Sequence, residues 1–155
     1  MVHALIGDLL AHPKVQETRS QMHHSLSKHD HLLRSARISY RLAHWFKADI
    51  NICVRAAMIH DIDSRLGTLR THGGIAARWA AGEGESFAVC HAIETHMYPF
   101  SPRPRTREAW VVSFADKAAS FTDLTISVTG ALTGKTWKRR RHLRQSDPFF
   151  RRSRA

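Results

Sequence analysis

From residue 31 to 48, Leu32, Ser35, Ser39, Leu42 and Phe46 recur at steps of three and four, and Ala36, Tyr40 and Ala43 keep the same spacing. That period defines an amphipathic helix with Asp30 as its cap. Asp49 caps a second helix over Ile50–His60, where Ile52, Cys53, Ala56, Ala57 and Ile59 give the wide apolar face of a core helix. Ahead of these, residues 3–11 form a short helix stopped before Pro13. Thr71 caps a helix over Gly73–Ala81 with Ile75, Ala76 and Trp79 inward. Its two early glycines weaken the helix but let the backbone approach a neighbour closely. A turn at residues 81–84 leads to a helix over 85–97. Pro99, Pro102 and Pro104 then force an extended loop. Thr106 caps a helix over 107–120 with Trp110, Val111, Phe114 and Ala118 on its apolar face. Residues 121–133 are β-branched enough for a strand but too isolated to build a sheet, and read as an irregular last helix ending near Gly134. No set of alternating strands, internal repeat or complete glycine-rich phosphate loop is present, so the fold class is all-α.

Several polar residues sit on the apolar faces. His60 shares its face with Cys53, Ala56 and Ala57; His72 with Ile75, Ala76 and Trp79; His96 with Val89, Ala92 and Ile93; Asp116 with Ala109, Val112 and Ser113. His31, beside Arg34, Ser35 and Ile38, has a less defined direction, and His91 lies on a mixed face. Asp61 follows His60 at the end of an apolar run, where an unpaired carboxylate is costly to bury. One inward histidine is ordinarily a hydrogen-bonded core residue. Three inward histidines and two inward aspartates are better satisfied together by one or two metal ions.

Composition narrows the setting. The 155 residues are 43% hydrophobic, which suits one compact domain. Cys53 and Cys90 lie in apolar segments and read as buried thiols of a reducing compartment. No apolar run reaches the roughly 18 residues of a membrane span. No basic segment precedes the N-terminal apolar stretch, so a soluble cytoplasmic protein is expected. The net charge of +11 is uneven. Residues 135–155 carry nine Lys or Arg against one Asp, net +8, whereas residues 1–134 carry net +3. The division is therefore a helical domain over 1–134 and a basic C-terminal tail over 135–155. The tail mixes its cations with Trp137, Phe149 and Phe150. It reads either as a nucleic-acid or anionic-surface contact or, more simply, as a solubilising, partly disordered end. Its aromatic residues could also pack on a partner subunit, which leaves a homodimer open.

The ordered set His31, His60-Asp61, His72, His96 and Asp116, in the strings HDHLLRSA, RAAMIHDID, THGGIAA, AIETHMYPF and VVSFADKA, resembles the HD domain superfamily of metal-dependent phosphohydrolases. The likeness spans about residues 20–125, and HMYPF and ADK resemble a subgroup of small, stand-alone bacterial members. The resemblance implies an HD-domain-like helical bundle with an interhelical metal site. His31, His60, Asp61 and Asp116 would form the first metal site, and His72 and His96 a second, bridged by Asp61. The implied metals are divalent, one or two per chain: Mn, Fe, Co, Ni or Zn, with Mg disfavoured by so many nitrogen ligands. His96-Met97 stands where many two-metal members have a His-His pair, and Met97 reads as packing. Asp63 stands where a glycine often follows, and either orients a ligand histidine or faces water. The Gly-Tyr-Pro segment of members that degrade cyclic dinucleotides is missing.

The implied chemistry is attack by a metal-activated water on a phosphomonoester or phosphodiester, such as a nucleotide. Asp61 would bridge the metals. Lys117 reads equally as a phosphate contact and as a solvent-facing lysine. Arg65 and Arg70 are candidates for a two-pronged phosphate grip, against the plainer reading of solvated loop arginines. His23 and His24 are candidate proton donors to the leaving group. The proline loop, with Arg103, Arg105, Tyr98 and Phe100, is a candidate pocket rim. The expected partner is a small phosphorylated substrate. The competing readings are a non-catalytic regulatory or nucleic-acid-binding module on the same fold, and a di-iron oxygenase.

Overall fold

Small and branched apolar residues make α5, Ile50–Ile59, the axis of the bundle. Cys53, Val54, Ala56, Ala57, Met58 and Ile59 are buried on it, and the alanines let neighbouring helices approach closely. In this computed structural model, which describes residues 1–149, α5 packs against α4 (Lys28–Phe46), α7 (Phe87–Thr95) and α8 (Arg107–Leu132). Asp49 caps α5, its carboxylate accepting from the Ile52 N–H at 3.1 Å. α6 (His72–Gly82) lies on α7. Gly73 makes that contact possible, because a Cβ there would meet the Glu94 carbonyl at 2.9 Å and the Ile93 carbonyl at 3.1 Å.

Local rules explain where the elements differ from their expected bounds. The N-terminal helix breaks at buried Ile6 into α1 (Val2–Leu5) and α2 (Gly7–Ala11). Pro13 opens a further turn, α3 (Pro13–Glu17), since its fixed φ suits a first helical position. α4 starts at Lys28 after Ser27, so Asp30 lies in its first turn and is not its cap; a carboxylate there still favours the helix dipole. Phe46 and Phe114, both assigned to apolar faces, are about half exposed. Residues 121–132 continue α8 in register. Thr122, Thr125 and Thr129 bond the carbonyls four residues back at 2.8, 2.9 and 2.8 Å, which reconciles β-branched sequence with helix.

Two features had no sequence forecast. β1 (Met22–His23) and β2 (Leu26–Ser27) form an antiparallel ribbon, pairing Met22 with Ser27 and His23 with Leu26. His24 and Ser25 turn it with positive φ, the geometry a two-residue hairpin needs. Gly134, at φ 72°, reverses the chain into α9 (Lys135–Ser146). The expected disordered stretch is thus helical over Lys135–Ser146, packed on α8 and the ribbon. Phe150 and the residues after it lie outside the described residues. Both cysteines are free. Burial pushes the Cys53 thiol up to about 12. Among the described residues no helix is long and apolar enough to cross a membrane.

Candidate metal centre

Helix ends gather the polar cluster. His60 is the residue on which α5 ends, with Asp61 next in the chain; His96 ends α7 in the same way, and His72 is the first residue of α6. His31 comes from the first turns of α4 and Asp116 from the middle of α8. All six side chains are buried and converge. His31 and His60 direct Nε2 to Asp116 Oδ1 at 3.2 and 3.3 Å. His72 Nε2 lies 3.3 Å from Asp61 Oδ1 and 3.1 Å from His96 Nε2. His96 Nε2 is 3.9 Å from Asp61 Oδ1.

The outer nitrogens fix the tautomers. Nδ1 of His60, His72 and His96 donates to the carbonyls of Ala57, Thr68 and Ile93 at 2.9, 2.8 and 2.7 Å. His31 Nδ1 donates to Asp123 Oδ2 at 2.7 Å, and Asp123 is also paired with Arg34. With the proton on Nδ1, each Nε2 turns a lone pair inward. Nε2 of His31 and of His60 is buried with no hydrogen-bond partner among the described residues, although each faces a carboxylate. Lone pairs facing an anion at that range repel unless a cation lies between them. Donors held at about 2.0–2.1 Å from one ion are themselves about 3.0–3.4 Å apart. Four of the five spacings above fall in that range, so the residues fit a divalent ion. Three overlapping sets have compatible donor atoms: His31, His60 and Asp116; His60, Asp61 and His96; and His23, His31 and Asp123.

Electrostatics divide the donors: burial alone would lower His72, but Asp61 outweighs it and raises that imidazole. Burial lowers the His96 imidazole to about 4, reinforced by His60. Burial also takes His23 down to about 3, helped by His31. Burial alone would raise the carboxyls of Asp61 and Asp116. When protonated, the facing histidines outweigh it and hold both well below the usual range, the part a metal cation takes beside neutral imidazoles.

A pocket of about 280 Å³ opens onto Asp61, Asp116, His72 and His96, walled by His23, His24, Thr68 and Met97. The size suits part of a nucleotide-sized ligand. His24 stands exposed at its edge. The other candidates lie elsewhere. Arg65 is held by Asp147 in a bidentate pair at 2.6 and 2.5 Å and does not line the pocket. Arg70 is exposed, also off the pocket. Lys117 donates to the His96 carbonyl at 3.0 Å and Ser113 Oγ at 2.8 Å, anchoring the loop behind His96. Asp63 pairs with Lys14 and takes the left-handed conformation, φ 56°, that a glycine would adopt there. The proline-loop residues Arg103 and Arg105 line a separate hollow with Phe87 and His91, and Tyr98 packs edge-on against Trp110.

Two contributors were missed. Lys28, buried, donates to Ser64 Oγ at 2.8 Å and the Asp61 carbonyl at 3.3 Å. It lies three residues before His31, a helical neighbour on the same face. Asp123 lies seven after Asp116, on the same stripe once α8 is seen to continue. His23, a candidate from the sequence, brings Nδ1 within 4.0 Å of Asp61 Oδ2. Only the ribbon puts it there.

A sequence pattern described as HD domain matches residues 29–120, which contain all six converging residues. The chain belongs to the HD domain family. Two proteins named ribonuclease Y are similar to part of this HD domain chain. That of Cutibacterium acnes is 40% identical over 78 residues, covering 47% of this chain and 14% of that protein. That of Chloroflexus aurantiacus is 35% identical over 88 residues, covering 56% of this chain and 17% of that protein. The chain thus corresponds to under a fifth of either relative. HD domain membership and the His/Asp cluster fit metal-dependent phosphohydrolase chemistry in general.

Proposed function

We propose that this HD domain is a divalent-metal-dependent phosphohydrolase acting on phosphodiesters. The observation that carries the reading is the pair of buried, unpartnered Nε2 lone pairs aimed at Asp116, on the floor of an open pocket. Asp116 with His31 and His60 would hold one ion, and Asp61 with His72 and His96 a second. Four imidazole nitrogens and two carboxylates favour Mn, Fe, Co, Ni or Zn. Ions there supply Lewis-acid activation of water and neutralise charge on the phosphoryl group.

The chain's own residues do the rest. Nδ1 anchoring of four histidines fixes the donors before substrate arrives. Lys28 places a cation behind Asp61 and ties it to Ser64 on the pocket wall. His24 is the one exposed histidine lining the pocket, so it can exchange protons with solvent and pass one to the leaving oxygen. The phosphodiester class is favoured by the two similar proteins named ribonuclease. The test is turnover of a chromogenic phosphodiester and its monoester counterpart after loading with each ion. Metal-dependent diester cleavage, lost in Asp61→Asn and Asp116→Asn, supports the proposal. No cleavage of either with any ion refutes it.

A further inference from the structure

We infer that α9 is a binding face for single-stranded nucleic acid that feeds the pocket, an inference that rests on the phosphodiesterase reading for its link to catalysis. Its helix carries Lys135, Lys138, Arg139, Arg140, Arg141 and Arg144, and no acidic residue occurs between Asp123 and Asp147. α9 is about 18 Å long, at 1.5 Å per residue, so its cations are dense, and the helical period puts Arg140, Arg141 and Arg144 in a strip on the face of Trp137. Trp137 is 63% exposed beside it, with the Arg140 guanidinium 5.9 Å from the ring centroid. Trp137, Arg140, Arg141, Arg144 and Gln145 line a hollow of about 410 Å³. Arg140 Nε is buried without a hydrogen-bond partner among the described residues. Cations that track a phosphate backbone beside an exposed aromatic ring are the parts of a single-strand site, because the ring stacks an unpaired base of any identity.

Two hydrogen bonds tie α9 to the pocket wall. The carbonyl of His24, on the pocket wall, accepts from the Ser127 hydroxyl. The Ser127 carbonyl accepts from Thr136 Oγ1 at 2.8 Å, one residue before Trp137. A lipid surface fits less well. The large apolar residues of α9 are Trp137 and Leu143, and Leu143, 7% exposed, packs into the fold. That leaves no apolar face to insert.

The experiment is fluorescence anisotropy of the full chain, in chelator to stop turnover, with a labelled 12-nucleotide RNA, its duplex and vesicles of anionic lipid. The expected result is tighter binding of the single strand than of the duplex, with log affinity falling by about 3 per decade of salt for four or so phosphate contacts. Lys138→Glu with Arg141→Glu should weaken binding at least tenfold and flatten that slope by about 1.4. Trp137→Ala should weaken it roughly 5- to 100-fold. Turnover of the small chromogenic phosphodiester should not change in these surface variants. Unchanged affinity in both, or preference for vesicles or duplex, overturns the inference. Strong single-strand binding without phosphodiester turnover would instead refute the hydrolase reading alone.

Discussion

Asp123→Asn separates the metal account from simple packing. Asp123 is fully buried and splits its oxygens, Oδ2 to His31 Nδ1 and Oδ1 to Arg34. The substitution keeps shape but replaces one oxygen with an NH₂. Arg34 only donates, so it holds the amide oxygen and turns the NH₂ towards His31. His31 Nδ1 must then accept, the ring proton moves to Nε2, and the lone pair aimed at Asp116 is lost. Loss of such an outer partner costs about 10- to 100-fold in metal affinity, or about 1.4–2.7 kcal/mol. The assay is competition for Co(II) or Zn(II) against a chromophoric chelator, with the Co(II) visible spectrum reporting lost nitrogen ligation. Thermal melts of metal-free protein measure the separate loss of the ion pair with Arg34, about 1.5–3 kcal/mol. Adding Arg34→Ala frees the amide to turn its oxygen to His31, so the double variant should bind metal more tightly than Asp123→Asn alone. Wild-type affinity in Asp123→Asn, or no recovery in the double variant, would refute the tautomer argument.

Three further outcomes follow from the geometry. Gly73→Ala should destabilise by about 1–3 kcal/mol because its Cβ meets the α7 backbone, whereas Gly74→Ala, whose Cβ meets only Arg78 at 3.7 Å, should gain about 0.4–1 kcal/mol in chemical denaturation. His96→Ala should lower metal content while His91→Ala leaves it intact, since His91 Nε2 instead accepts from the Arg105 N–H at 3.2 Å. Burial alone would raise the Asp147 carboxyl, but Arg65 and the backbone N–H groups of Met22 and Phe149 outweigh it and hold it below its ordinary value. Its folded pKa is therefore the lower one, and its contribution is complete above the unfolded value of about 3.9 and fades as pH falls through the folded value. Asp147→Asn should cost about 1.5–3 kcal/mol at pH 7, and urea melts should show the gap to wild type closing in acid below that range.

The sequence was most legible where one residue's neighbours along a helix decide its direction. His60, His72, His96 and Asp116 each lie on an apolar stripe, and those stripes are the faces that bring them to the pocket. Asp49 and Thr106 cap as their residue types demand. Residues whose role depends on distant segments were less visible. Arg65 read as a phosphate grip or a solvated loop arginine because Asp147, its partner, is 82 positions away. Asp123 was obscured because β-branched neighbours blurred the continuation of α8. The ribbon had no glycine to announce it, since His24 and Ser25 supply its left-handed turn. Charge density made residues 135–146 resemble a solvated end, although Thr136 and Leu143 are enough to seat α9 beside Gly130, which leaves room for the Thr136 hydroxyl.

The central claim is that the converging histidines and aspartates hold divalent metal. It is tested most directly by elemental analysis of untagged protein purified without chelator, with metal counted per chain in wild type and Asp61→Ala. One or two equivalents of Mn, Fe, Co, Ni or Zn in wild type, lost in Asp61→Ala, is the predicted result. Absence of metal even after reconstitution with each ion, or the same metal content in both proteins, would contradict it.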